Sequence, residues 1–129
     1  SKKPFTIVGT GNQKRDFIYV TDVCEAFYKS IERNISNEIL NIGSGNPKSV
    51  NHLVSLIKGQ KIYIKKRPGE PFITHANIAK AKKYLNWKPI VNLKSGIKLV
   101  LNDISYWKNA PLWDEKKIAD ATKEWFKYL

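Results

Sequence analysis

The sequence predicts a small mixed α/β fold with short strands interspersed among about five helices. Three observations predict it. Short β-prone runs are bounded by glycine-rich turns. Elsewhere, apolar residues recur at the three-and-four spacing of a helix face. The 129 residues, 42% hydrophobic and 12% aromatic, suffice for one compact core but not for two. No internal repeat, low-complexity tract or linker interrupts the pattern, so residues 1–129 read as one domain.

Phe5 to Val8 is a β-prone run closed by Gly9-Thr10-Gly11-Asn12, and Phe17 to Val20 reads as a second strand after a charged link. Thr21 or Asp22 can cap the helix that follows, with Val23, Ala26, Phe27, Ser30 and Ile31 on its buried face and an end near Asn34. Glu38 to Ile42 is strand-like and runs into the loop Gly43-Ser44-Gly45-Asn46-Pro47. Ser49 can cap a helix carrying Val50, Leu53, Val54 and Ile57 on one face, ended by Gly59. Lys61 to Lys65 alternates as an edge strand would, and Arg67-Pro68-Gly69-Glu70-Pro71 is a rigid turn. A short helix from about Ala76 to Leu85 must stop before Pro89. Two further helices follow, one marked by Leu93, Ile97, Val100, Leu101 and Ile104, the other by Ile118, Ala121, Trp125 and Phe126, with Pro111 between them.

Composition bounds the function. The chain has no methionine and opens at Ser1, so it reads as a piece of a longer protein. Cys24 is the only cysteine and sits in what reads as an apolar helix face, which points to a reducing, cytoplasmic setting rather than a disulfide framework. No run approaches the roughly 20 apolar residues of a membrane span. With 23 Lys and Arg against 11 Asp and Glu, the formal charge of +12 favours anionic partners without choosing among them. A solvated helix face is the plainer account of most of these lysines.

Chemical motifs are sparse. Gly9-Thr10-Gly11 fails as a dinucleotide-binding loop because the third glycine position falls at Lys14 and a strand-like run follows. Tyr84 and Lys88 have the spacing of a tyrosine-lysine pair, but Pro89 pushes Lys88 out of helical geometry. His52 and His75 are too isolated to argue for a metal. Two arginines stand at turns in a lysine-rich chain, Arg15 after the glycine turn and Arg67 before Pro68-Gly69. A guanidinium fork suits a diphosphate, although an exposed loop arginine is the simpler reading of either position alone.

The run from Pro4 to Val23, PFTIVGTGNQKRDFIYVTDV, resembles the P-x-x-I-x-G-D-G-x-Q-x-R-D-F-I-Y-V-x-D-V segment of the extended short-chain dehydrogenase/reductase (SDR) family, specifically its nucleotide-sugar epimerases and dehydratases. Leu40 to Gly45, Ser49 to Leu53, Arg67 to Glu70 and Ala79 to Pro89 follow in the same order, so the similarity covers roughly Pro4 to Ile104. The resemblance implies that the chain is the carboxy-terminal substrate-binding lobe of an NAD-dependent nucleotide-sugar 4-epimerase or 4,6-dehydratase, similar to UDP-glucose 4-epimerase and serving polysaccharide biosynthesis. It implies that Thr6, Ile7 and Val8 hold the base through backbone contacts and that Arg15 and Arg67 take the diphosphate. Asn41 and Glu70 would hold polar groups of the nucleotide. The ligand would be a UDP- or TDP-sugar.

Neither catalytic nor cofactor residues are expected in this chain. NAD and the catalytic tyrosine-lysine pair would belong to an amino-terminal Rossmann domain, against which this lobe would pack an apolar face, in a full-length homodimer. Thr10, Asn77 and Asn86 depart from the residues usual in the family, and the tail from Tyr106 lies beyond its general pattern. The competing readings are a basic nucleic-acid-binding domain, disfavoured because its aromatics fall at core positions, and a non-catalytic binding protein on the same fold.

Overall fold

The computed structural model describes residues 4–111, 113–124 and 127. The elements are β1 (Phe5–Val8), β2 (Lys14–Arg15), α1 (Val20–Glu32), β3 (Lys48–Ser49), α2 (Val50–Ile57), β4 (Lys61–Ile64), α3 (Ala79–Leu85), α4 (Leu93–Asn102), a 3-10 turn (Ile104–Trp107) and α5 (Glu115–Thr122). This is the expected mixed α/β architecture. Trp125 and Phe126, read from the sequence as part of the closing helix, lie outside the described residues. No helix among the described residues is long and apolar enough to cross a membrane.

β1 and β4 pair in parallel, Phe5 opposite Lys61 through Val8 opposite Ile64. A parallel pair needs a long crossover, and the chain supplies it with α1 and α2. β2 and β3 form a minimal antiparallel pair, Lys14 opposite Ser49 and Arg15 opposite Lys48. The main buried cluster is Ala26, Ile78, Ala81, Leu85 and Trp87, against which Ile18, Ile35, Leu40, Ile42 and Ala76 pack. Two alanines at the contact between α1 and α3 let the helices approach closely.

Side-chain caps start α2, α4 and α5, but neither α1 nor α3. Ser49, Asn92 and Asp114 each accept a bond from the N–H three residues on, at the starts of α2, α4 and α5. Neither Thr21 nor Asp22 caps α1; Tyr19 holds that position without a side-chain bond. Asp22 instead lies inside the first turn, 3% exposed, and its carboxylate accepts from the N–H groups of Ile90 (3.2 Å) and Val91 (3.0 Å). Trp87 Nε1 donates to the Asp22 carbonyl at 2.9 Å. One aspartate thus ties α1 to the segment after α3.

α3 begins at Ala79 rather than Ala76, and it stops before Pro89 because Asn86 takes a left-handed conformation, φ 48°. Asparagine tolerates that region and glycine adopts it freely, which accounts for the departure at this position. Asn86→Gly is expected to raise stability by about 0.5–1 kcal/mol and Asn86→Ala to lower it by about 1 kcal/mol. Urea denaturation midpoints check both signs.

Two expected strands do not form. Residues 17–19 join no strand among the described residues; Asp16 just before them is held through its carboxylate by three backbone N–H groups, and α1 takes over at Val20. Residues 38–42 keep strand alternation, with Leu40 and Ile42 packed on the core and Ile39 88% exposed, but no ladder neighbour exists among the described residues. The predicted buried face of α1 also divides. Ala26 is buried and Val23 half-buried, while Phe27 and Ile31 are 69% and 79% exposed. With Val20 and Cys24 they form an exposed stripe, so Cys24 is not on a buried face.

Candidate functional site

The site is built where β1, β2 and the turn after β4 converge. After β1 the backbone turns through Gly9 (φ 62°) and Gly11 (φ 73°). A Cβ on Gly11 would stand 2.4 Å from Asn51 Oδ1, so a larger residue there would have to displace the Asn51 side chain. Asn51 Nδ2 donates to the Thr10 carbonyl (2.9 Å) and to Asn12 Oδ1 (3.1 Å), fixing the loop to α2. The Thr10 hydroxyl accepts from the Asn12 N–H, so threonine serves where the family pattern has aspartate.

This turn delivers Arg15. Its Nη1 donates to the carbonyls of Lys14 (2.8 Å) and Pro71 (2.9 Å), and Nη2 donates to Glu70 Oε1 at 2.8 Å. Arg15 and Glu70 are both half-buried, and their charges compensate each other. Arg67 has the opposite character. Its Nε is closed off from solvent and has no hydrogen-bond partner, and among the described residues no carboxylate lies within ion-pair distance of it. Of the two arginines expected to meet a diphosphate, one is held and neutralised, the other is uncompensated.

In β1, Phe5 and Gly9 donate toward the β4 side, to the carbonyls of Gln60 and Ile64. Alternation then turns the N–H and C=O groups of Thr6 and Val8 to the opposite edge, where the described residues place no strand. The Val8 carbonyl there accepts from Gln13 Nε2 at 2.8 Å. Ile7 sits with its backbone toward β4 and its side chain 1% exposed. Ile7 thus has its backbone on the β4 ladder and its side chain in the core, while the backbone groups of Thr6 and Val8 face the other edge. Asn41 is exposed on the unpaired 38–42 segment, and no hydrogen bond among the described residues joins it to Arg15, Arg67 or Glu70.

Asp16 escaped the sequence reading, although it organises the site. It accepts from the Ser44 hydroxyl, the Ser44 N–H (2.8 Å), the Gly45 N–H (3.1 Å) and the Ala76 N–H (2.9 Å). Burial alone would raise its carboxyl, and the hydrogen bonds from Ser44, Ala76 and Gly45 outweigh that, holding it below its ordinary 3.8. The sign follows: a depressed folded value contributes stability that is present above pH 3.8 and lost as pH falls through the folded value. Asp16→Asn is expected to flatten the acid limb of a stability-against-pH curve. An unchanged acid limb would reject the assignment.

The Gly9–Gly11 turn is not a dinucleotide-binding loop. Gly9-Thr10-Gly11 leads into β2 rather than a helix N-terminus, so the dipole and N–H cluster that would cradle a pyrophosphate are not formed there. Lys88 lies beyond the Asn86 turn, off the α3 face that carries Tyr84.

This mixed α/β lobe, with its ordered turns, is of the short-chain dehydrogenase/reductase type. A profile of the NAD dependent epimerase/dehydratase family matches residues 1–43. A Methanocaldococcus jannaschii protein assigned as a UDP-glucose 4-epimerase is 47% identical over 74% of this chain and 32% of its own length. The UDP-glucuronate 4-epimerase of Thermodesulfobacterium geofontis is 34% identical over 78% of the chain and 33% of its own. The crystal structure of UDP-glucuronic acid 4-epimerase from Bacillus cereus, in complex with UDP-glucuronic acid and NAD, superposes with a TM-score of 0.76 at 34% identity, over 81% of this chain and 36% of that one. Over the part of these proteins that it spans, the chain belongs to the extended SDR epimerase/dehydratase family. It spans about a third of their length.

Proposed function

We propose that this chain is the nucleotide-binding lobe of an NAD-dependent nucleotide-sugar 4-epimerase or 4,6-dehydratase, and that its ligand is a UDP- or TDP-sugar. The observation that carries the reading is Arg67, a guanidinium without an ion pair among the described residues, in the turn after β4 that also holds Glu70, the partner of Arg15. Thr6 and Val8 offer backbone groups to a base, Arg67 and Arg15 offer charge to a diphosphate, and Glu70 can accept from a ribose hydroxyl. The 47% identical relative and the sugar-bound neighbour structure support the same assignment.

In this reading NAD supplies transient oxidation of the sugar and is held by a part of the protein outside this chain. That part would also carry the proton-transferring residues. The lobe contributes binding energy from the remote nucleotide, which orients the sugar for a reaction elsewhere. The full protein would be a cytoplasmic homodimer, and the exposed α1 stripe of Val20, Phe27 and Ile31 would be covered by the cofactor domain.

Titration calorimetry with UDP, TDP and GDP tests the proposal. Binding of one diphosphate in the micromolar-to-millimolar range is expected, with a loss of on the order of 100-fold in Arg15→Ala/Arg67→Ala, since each charge-assisted bond is worth about 1.5–3 kcal/mol. Equal binding by wild type and double variant would overturn the site.

A further inference from the structure

Beyond the nucleotide site, we infer that a groove between α2 and α4 binds a linear oligophosphate through Lys48, Lys58, Lys94 and Lys98. Two adjoining cavities, of about 420 and 680 Å³, lie along α2 and share Leu56, Asn92 and Lys94 in their walls. Lys48 and His52 line the first and Lys58 and Lys98 the second, and neither has a carboxylate in its lining. None of these four lysines is in an ion pair with a described residue.

The sequence concentrates this charge. Between Ile39 and Asn102 stand twelve Lys and Arg residues and one acid, Glu70, already spent on Arg15. Lys48 precedes α2 and Lys58 ends it, which sets them roughly 15 Å apart at helical rise. Lys94 and Lys98 are one turn apart on α4 along the opposite wall. That is a row of point charges on both sides of a channel.

The residue types select the ligand. Lysine ammonium groups meet phosphate oxygens as point charges, and the two linings hold four lysines and no carboxylate. Phe17, half-buried, and His52 are the only aromatic rings in the two linings, too few to stack successive bases along the groove. A chain of phosphates without bases fits better than a nucleic acid. Lys58 adds an independent sign, because it occupies the left-handed C-cap of α2 at φ 59°, where glycine or asparagine would be less strained. A strained lysine kept at the mouth of a cationic channel argues for its side chain.

The experiment is titration of the chain with linear inorganic polyphosphate at 50 and 200 mM salt. Four phosphate contacts predict a roughly 50-fold weakening between those salts, and Lys94→Gln/Lys98→Gln should cut both the affinity, by about tenfold, and about half of the salt slope. Lys58→Gly should weaken binding while raising the thermal midpoint by a few °C, a pairing that loss of folding cannot produce. Arg15→Ala/Arg67→Ala should leave polyphosphate binding in place, which separates this site from the nucleotide reading. Two results would overturn the inference: an equal loss in Lys82→Gln/Lys83→Gln on α3, which would mean generic charge, or tighter binding of a single-stranded oligonucleotide than of polyphosphate.

Discussion

Asp22→Ala is expected to cost the fold about 3–5 kcal/mol, the largest effect of any single side chain outside the apolar core. The carboxylate is almost wholly enclosed and accepts from two consecutive backbone N–H groups, Ile90 and Val91. Truncation removes both acceptors and leaves two donors with no partner, a larger penalty than a neutral exchange of hydrogen bonds would give. Those donors also carry the chain from Trp87, a core residue, to Asn92, the cap of α4. Losing the latch therefore loosens the docking of α4 as well as the start of α1. Domains of this kind have roughly 5–15 kcal/mol in total, so the variant should populate the unfolded state measurably. The check is the urea midpoint, read beside Asp22→Asn, which keeps one acceptor and should lose less. Trp87→Phe, which removes the indole N–H bond to the Asp22 carbonyl and also shrinks a buried core ring, should cost about 2–4 kcal/mol. A loss below 1 kcal/mol for Asp22→Ala would mean that the latch is already satisfied by water.

Asp22 also marks the limit of what the sequence makes legible. Local signals came through: Ser49 as a cap, β1 and β4 as strands, and the helix face of α2 follow from nearest-neighbour patterns, whereas the face expected of α4 leaves Val100 and Leu101 exposed and Ile104 outside the helix. What failed was long-range. An aspartate at a helix start looks like a cap in any window of ten residues, and only the partners at Ile90 and Val91 reveal a latch across the chain. Asp16 is the same case, its partners lying at Ser44, Gly45 and Ala76. Residues 38–42 show the converse. Their alternation is that of a strand, but no described strand pairs with them. At the site, turn chemistry singled out Arg15 and Arg67 and the family resemblance Glu70, but the Arg15–Glu70 pairing joins residues 55 apart, so the difference in ion pairing between the two arginines was invisible.

That difference makes the second large prediction a matter of sign. Arg67→Ala is expected to weaken UDP binding by about 10- to 100-fold, and Arg15→Ala by several-fold less. Arg67 meets an anion with its charge uncompensated, whereas Arg15 must share or surrender Glu70 first. Removing Glu70 separates its two possible effects. Glu70→Gln frees the Arg15 guanidinium and should tighten inorganic pyrophosphate, which has no ribose to lose. UDP should gain less, or lose, because a carboxylate able to accept from its hydroxyls is gone. Calorimetry of both ligands on the Glu70→Gln chain reads the difference directly. If pyrophosphate affinity is unchanged, Glu70 does not restrain Arg15 in solution. If pyrophosphate and UDP tighten equally, Glu70 is a restraint alone and makes no contact with the nucleotide. Only opposite or clearly unequal responses fit a carboxylate that both holds the arginine in reserve and reads the ligand.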